Sequence, residues 1–127
     1  MPKIAIIDDD PDIVEATTIL LESKGYQVIS AGNVEDALLL IQDDSPDLII
    51  LDVVMDAPDD GFYLANKLRK NGVKTPIIML TSVAKASGLK FEGSKTLPVD
   101  EFLEKPVPPS YLVEKVDAYL KTKEEEK

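Results

Sequence analysis

The stretch Leu48-Ile49-Ile50-Leu51-Asp52 consists of four large aliphatic residues followed by a carboxylate. It comes directly after Ser45-Pro46 and Asp47, which interrupt the preceding helical pattern. A continuous apolar run of this length, bounded by polar residues, is typical of a strand buried on both faces of a parallel sheet. Asp52 would lie at the carboxyl end of that strand, where open α/β sheets bind their ligands. Because burying an unpaired carboxylate is unfavourable, we expect Asp52 to serve function rather than stability.

Further apolar runs and helical patterns alternate along the chain. The predicted strands are Lys3 to Ile7, Gln27 to Ser30, Leu48 to Asp52, Pro76 to Leu80 and Glu101 to Leu103. Helices are predicted from Asp10-Pro11 to about Lys24, after the Asn33 cap, around Leu64 to Leu68, and from Pro109-Ser110 onward. This alternation predicts an α/β fold, a single doubly wound parallel sheet of five strands with helices on both faces. It leaves the order of the strands open.

The stretch from Val83 to Pro98 has the least regular pattern in the sequence. It carries only a weak helical pattern near Val83 to Leu89, and Gly88, Gly93 and Pro98 interrupt it. We therefore expect the fourth helix, between the fourth and fifth strands, to be short or irregular.

The composition narrows the function further. The chain has 127 residues, a net charge of −10, and neither histidine nor cysteine. The length predicts one domain, residues 1–121, followed by a charged C-terminal tail, residues 122–127. Imidazole bases, thiolate chemistry and disulfides are excluded, and the negative charge opposes direct binding of nucleic acid. With no sequence pattern for a membrane span or a signal peptide, the expected location is cytoplasmic, with no membrane partner.

Polar residues follow four of the predicted strands. Asp8 and Asp9 follow the first strand, Asp52 the third, Thr81 the fourth and Lys105 the fifth. Because parallel strands end on one edge of the sheet, these side chains converge if the four strands are neighbours. Two carboxylates about 4 Å apart repel by roughly 4 kcal/mol at an effective dielectric constant of about 20, so a group of three needs a cation or a proton.

An all-oxygen site of this charge suits Mg²⁺ or Mn²⁺. With such an ion, the Thr81 hydroxyl and the Lys105 ammonium would face phosphoryl oxygens, and Asp52 is the best-placed nucleophile for phosphoryl transfer. Each residue taken alone also has a structural explanation that involves no chemistry: Asp8 and Asp9 as helix caps, Thr81 as a strand-end hydroxyl, Lys105 as a surface lysine and Asp52 as a turn residue. The combination at four strand ends is far more specific than any single member.

This set of residues resembles the response-regulator receiver domains (CheY-like) of bacterial two-component signalling. The matching features are Asp8-Asp9, Asp52 after Leu-Ile-Ile-Leu, Thr81 after Ile-Ile-Met-Leu, and Lys105-Pro106 preceded by Phe102. The resemblance covers about Lys3 to Leu120 and implies the strand order 2-1-3-4-5.

The resemblance also implies roles for individual residues. Asp52 would accept a phosphoryl group from a sensor histidine kinase, and Thr81 and Lys105 would hold that group. Phe102 would follow Thr81 in a conformational switch. The residues implied for Mg²⁺ (or Mn²⁺) are Asp9 and Asp52 directly, Asp8 through water, and Val54 through its backbone carbonyl.

On this reading the chain is a signalling phosphoacceptor, since it would catalyse only its own phosphorylation and slow dephosphorylation. Its partners would be the kinase and a histidine phosphotransfer protein or another downstream protein. The family usually has proline four residues after the phosphoacceptor, whereas this chain has Asp56 there, in a longer and more acidic loop.

Three alternatives share parts of this pattern. A phosphorylation-independent protein-binding module on the same fold would not need the complete set of site residues. A flavodoxin-like FMN protein would need a phosphate-binding loop after the first strand, where Asp8-Asp9-Asp10 repels phosphate. A metal-dependent aspartyl phosphatase usually has a second acid two residues after its nucleophile, where this chain has Val54.

Overall fold

The computed structural model describes residues 2–52, 60–81, 99–105 and 107–125, and of Thr81 and residues 122–125 it describes the backbone alone. The elements in these ranges are β1 (Lys3–Ile7), α1 (Pro11–Glu22), β2 (Gln27–Ala31), α2 (Val34–Asp44), β3 (Leu48–Asp52), α3 (Asp60–Lys70), β4 (Ile77–Thr81), β5 (Glu101–Glu104) and α4 (Pro109–Glu125). The predicted alternation of strands and helices is confirmed in these ranges, which leave out the stretch between β4 and β5. The ends of the predicted strands agree with the observed ones to within one residue.

The strands form one parallel sheet in the order β2-β1-β3-β4-β5. This confirms the doubly wound fold and the strand order that the resemblance implied. All five residues of β3 are buried, as expected for the central strand. In register, Ile7 of β1 lies beside Leu51, and Leu80 of β4 lies beside Asp52. The carboxyl ends of β1, β3 and β4 therefore meet at one edge of the sheet.

Two apolar cores lie on opposite faces of the sheet. Alternate residues of β3 point to opposite faces, so Ile49 and Leu51 join one core while Leu48 and Ile50 join the other. The first core includes Ala37 and Ile41 of α2 and Leu64, Ala65 and Leu68 of α3. The second includes Leu21 of α1 and Leu112, Val116 and Leu120 of α4. Helices thus cover both faces, as predicted.

The helix starts follow the capping residues in the sequence. Asp10 accepts hydrogen bonds from the backbone N–H groups of Asp12 and Ile13, and Pro11 opens α1. Asn33 caps α2 through the N–H of Asp36 at 2.8 Å. Helix α1 ends at Glu22, two residues before the predicted end, because the chain turns over Ser23 and Lys24 into Gly25, which has φ +93°.

Some sequence predictions are not tested by these ranges. The short or irregular helix that the sequence predicts between β4 and β5, over Val83 to Pro98, lies outside the described residues. It is distinct from the helix labelled α4 here. Helix α4 continues to Glu125, and a domain boundary after residue 121 stays a prediction. Among the helices described, none combines the length and the apolar character needed to cross a membrane.

Candidate functional site

Asp52 is the last residue of β3, and its side chain is 8% exposed. Lys105, directly after β5, reaches across the end of β4, and its Nζ donates a hydrogen bond of 2.8 Å to Asp52 Oδ1. The strand order makes this contact possible, because only β4 separates β3 from β5. A charged carboxylate this deeply placed needs such a partner.

Three carboxylates meet at the same edge. One oxygen each from Asp8, Asp9 and Asp52 lies within 4.8 Å of the others. Asp8 and Asp52 are buried, whereas Asp9 is exposed. Carboxylate oxygens are the donors that Mg²⁺ and Mn²⁺ prefer, so the residues present fit an ion of this class. The convergence expected from the strand ends is observed for these three residues and Lys105.

Burial dominates the electrostatics of Asp8. Removal from water raises the pKa of its carboxyl group above the ordinary value, and the charge of Asp52 raises it further. A hydrogen bond from the backbone N–H of Asp10 to Asp8 Oδ1, at 2.9 Å, acts in the opposite direction without cancelling the effect. Ionisation of Asp8 is therefore less favourable than that of an aspartate in water, and a further positive charge beside the group would favour it.

The structure describes the remaining predicted site residues, Thr81, Val54 and Phe102, to different extents. Thr81 ends β4, one residue after Leu80, the neighbour of Asp52, so its backbone lies at the same edge. Val54 lies outside the described residues. Phe102 is half-buried in β5, beside Met79 of β4.

Phe62 of α3 was not predicted from the sequence as part of this region. Its ring centroid lies 6.1 Å from that of Phe102, with the ring planes at 44°. The only signal in the sequence is an aromatic residue at the start of the α3 pattern, which does not identify the partner strand.

The chain matches known families and proteins along most of its length. The family model for the response regulator receiver domain matches residues 4–117. The transcriptional regulatory protein CpxR of Escherichia coli is 39% identical over 121 residues, which are 95% of this chain and 50% of that protein. The alkaline phosphatase synthesis transcriptional regulatory protein PhoP of Bacillus subtilis is 35% identical over 126 residues, 96% of this chain and 50% of that protein. The chain thus spans about half the length of these two relatives.

Solved structures agree with this match. The receiver domain of the Francisella response regulator 1452 is 31% identical, with a TM-score of 0.85 over 97% of this chain and 99% of that one. A CheY-like receiver domain protein from Methanospirillum hungatei is 29% identical, with a TM-score of 0.85 over 100% of this chain and 99% of that one. The resemblance noted in the sequence is confirmed, and the chain belongs to the response regulator receiver domain family.

Proposed function

We propose that Asp52 accepts a phosphoryl group from a sensor histidine kinase in a reaction that requires Mg²⁺ or Mn²⁺. The observation that carries this proposal is the position of Asp52, which adjoins both Lys105 and the carboxylates of Asp8 and Asp9. Among the described side chains of this arrangement the carboxylates are the available nucleophiles, and Asp52 lies where α/β sheets bind ligands.

The transfer exchanges one bond for another. A carboxylate oxygen of Asp52 forms a P–O bond while the P–N bond to the imidazole of the kinase breaks, and the imidazole nitrogen keeps the electron pair. Lys105 would stabilise the negative charge on the phosphoryl oxygens as the group is transferred, because an ammonium stabilises such oxygens. Its Nζ already lies 2.8 Å from Asp52 Oδ1. The Thr81 hydroxyl would serve as a second donor.

Asp8, Asp9 and Asp52 would hold the divalent ion, with the Val54 carbonyl as a further ligand. The ion would supply positive charge that offsets the phosphoryl oxygens and the three carboxylates. The chain's own contribution is to bring these oxygens together at the ends of β1 and β3 before any partner arrives.

Signalling would follow from a change in the position of Thr81 and Phe102 once the group is attached. The downstream partner would be a histidine phosphotransfer protein or another protein that recognises the changed surface. The relatives CpxR and PhoP are named as transcriptional regulators, and the net charge of −10 opposes direct contact of this chain with nucleic acid.

The test is labelling with acetyl phosphate in the presence of Mg²⁺. We expect the mass of one phosphoryl group on Asp52, and no labelling in Asp52→Asn or after chelation of the metal. Asp52→Asn keeps the size of the side chain and so controls for folding. Equal labelling of parent and Asp52→Asn would overturn the proposal, and a parent that takes no label would point to the phosphorylation-independent binding module.

A further inference from the structure

Helix α3 contacts strand β5 at Phe102 and also contacts Asp100, the residue directly before that strand. In the first turn of α3, the Phe62 ring lies 6.1 Å from the ring of Phe102. Two turns later, Arg69 Nη2 lies 3.0 Å from Asp100 Oδ2, next to the start of β5. Residues seven apart share one face of a helix, and residues two apart share one face of a strand. Both contacts therefore belong to one surface on which α3 packs against β5.

The contact at Asp100 is anchored independently of Phe62. Asp100 Oδ2 also accepts a hydrogen bond of 2.8 Å from the N–H of Ile77, and the N–H of Asp100 donates to the Ile77 carbonyl at 2.9 Å. Arg69 Nη1 donates to the carbonyls of Val73 and Thr75 at 2.9 and 2.8 Å. None of these contacts involves Phe62, so we expect the start of β5 to stay attached to β4 and α3 when the ring of Phe62 is removed.

The contact at Phe102 lies closer to the reacting groups. Phe102 precedes Lys105 by three residues, and Lys105 binds Asp52. Strand β5 is an edge strand that pairs with β4 alone among the strands described, so the packing on its face contributes to its position. Phe62 supplies an aromatic part of that packing and is itself half-buried against the core of α2 and α3.

We propose that Phe62 is a positioning residue for the site: its ring holds Phe102, and through β5 it sets the placement of Lys105 beside Asp52. This inference deepens the proposed function and rests on it where phosphoryl transfer is the readout. A tilted aromatic pair favours the packed arrangement by roughly two- to tenfold. Loss of the Phe62 ring should change the population of that arrangement by the same factor.

The chain suits a fluorine NMR experiment because it contains three phenylalanines. Protein labelled with fluorophenylalanine gives one signal for each, and Phe102→Leu identifies the signal of Phe102. We expect Phe62→Leu to shift that signal and Tyr63→Leu to leave it unchanged. Tyr63 is the matched control, since it occupies the same turn of α3 and is 55% exposed.

The second readout is the initial rate of labelling by acetyl phosphate with Mg²⁺. We expect Phe62→Leu to lower this rate by roughly two- to tenfold and Tyr63→Leu to keep the parent rate. Phe62→Tyr retains the ring and should restore both the Phe102 signal and the rate, whereas a side chain of similar size without a ring should restore neither. Phe62→Met offers a second side chain without a ring if leucine does not fit.

The two readouts separate the possible outcomes. An unchanged Phe102 signal in Phe62→Leu overturns the inference, whatever the labelling rate. A shifted signal with an unchanged rate also overturns it, because Lys105 is then placed without Phe62. If the parent takes no label, the proposed function fails, and the fluorine comparison of Phe62→Leu with Tyr63→Leu still decides whether the rings of Phe62 and Phe102 pack together.

Discussion

Lys105 Nζ lies 2.8 Å from Asp52 Oδ1, so the residue that directly follows the edge strand β5 pairs with the carboxylate that ends the central strand β3. The Asp52 side chain is 8% exposed and that of Lys105 31%. Asp8 and Asp9 add two more carboxylates beside this pair. Among the described residues, one ammonium therefore faces three carboxylates, and we expect the stability of the domain without metal to depend on this balance.

Replacement of Lys105 by methionine should destabilise the domain without metal. The variant keeps the apolar stem but removes the ammonium that pairs with Asp52, which is buried beside Asp8. Breaking a fully buried pair by removing one partner has a cost of about 3–5 kcal/mol, and the exposure of Lys105 reduces this to about 1–2 kcal/mol. Urea unfolding of parent and Lys105→Met in a metal-free buffer measures the difference.

Lys74→Met is the matched control for Lys105→Met, because Lys74 is exposed in the loop before β4. We expect this control to stay within about 0.5 kcal/mol of the parent. Equal free energies of unfolding for the two variants would show that the pair with Asp52 contributes nothing to stability.

Asp8→Asn should stabilise the metal-free domain at neutral pH. Burial and the charge of Asp52 raise the pKa of Asp8, so its ionised form is less favourable in the folded state than in the unfolded chain. Asparagine removes the charge and keeps an oxygen that can accept the N–H of Asp10. We expect a gain on the order of 1 kcal/mol in the free energy of unfolding.

Magnesium should reverse the ranking of the parent and Asp8→Asn. The parent would gain stability from an ion held by Asp9 and Asp52 directly and by Asp8 through water, whereas the variant would have one charged group fewer around the ion. Thermal unfolding of both proteins over a series of MgCl₂ concentrations tests this. A parallel rise of the two melting temperatures would mean that Asp8 takes no part in binding the ion.

The sequence predicted the position of Asp52 correctly because local physics determines it. A run of aliphatic residues has to be buried wherever the chain places it, and the polar residue at its end marks the edge of the sheet. The capping of α1 by Asp10 and of α2 by Asn33 is equally local. Such features depend on neighbours within a few residues and can be derived without knowing the fold.

The contacts between distant elements could not be predicted in the same way. Hydrophobic periodicity shows which face of α3 is buried, yet it does not show that Phe62 meets Phe102 or that Arg69 meets Asp100. These pairs depend on the order of the strands, which alternation left open and the family resemblance supplied. The roles of Thr81 and Val54 stay predictions, since the Thr81 side chain and all of Val54 lie outside the described part of the chain.

Ser45→Gly should raise the stability of the domain. Ser45 ends α2 with φ 47° and ψ 64°, the left-handed conformation in which side chains of L-residues are disfavoured. Glycine removes that strain, which has a cost of about 1–2 kcal/mol. It also lowers the stability by about 0.5–1 kcal/mol, because the unfolded chain with glycine has more conformational freedom to lose on folding. The expected net gain is about 0.5–1 kcal/mol in urea unfolding.

Ser23→Gly is the comparison for Ser45→Gly, because the same substitution should have the opposite effect there. Ser23 ends α1 in the right-handed conformation with φ −66°, and its hydroxyl donates to the Leu20 carbonyl at 2.6 Å. Glycine then removes a hydrogen bond and gains nothing from relieved strain. A loss of stability at both positions would contradict the assignment of strain to Ser45.

The phenol of Tyr119 in α4 should make the stability of the domain depend on pH in the alkaline range, with stability falling as the pH rises. Its hydroxyl donates to Glu101 Oε1 at 2.9 Å and lies 3.2 Å from the Asp100 carbonyl oxygen. Burial raises the pKa of Tyr119, and the hydrogen bond and charge of Glu101 raise it further. Above the ordinary tyrosine pKa of about 10, the unfolded chain loses this proton while the folded domain keeps it.

The stability that the raised pKa of Tyr119 provides is therefore complete below about pH 10 and falls as the pH rises, by at most about 1.4 kcal/mol per unit. Tyr119→Phe removes this dependence, so the difference in free energy of unfolding between the parent and Tyr119→Phe should shrink between about pH 9 and 11. Tyr63→Phe, at an exposed position, is the control and should follow the parent. The difference between parent and Tyr119→Phe could instead stay constant over this range. The folded domain would then hold the phenol equally well in both protonation states, which contradicts a hydrogen bond donated by the Tyr119 hydroxyl to Glu101.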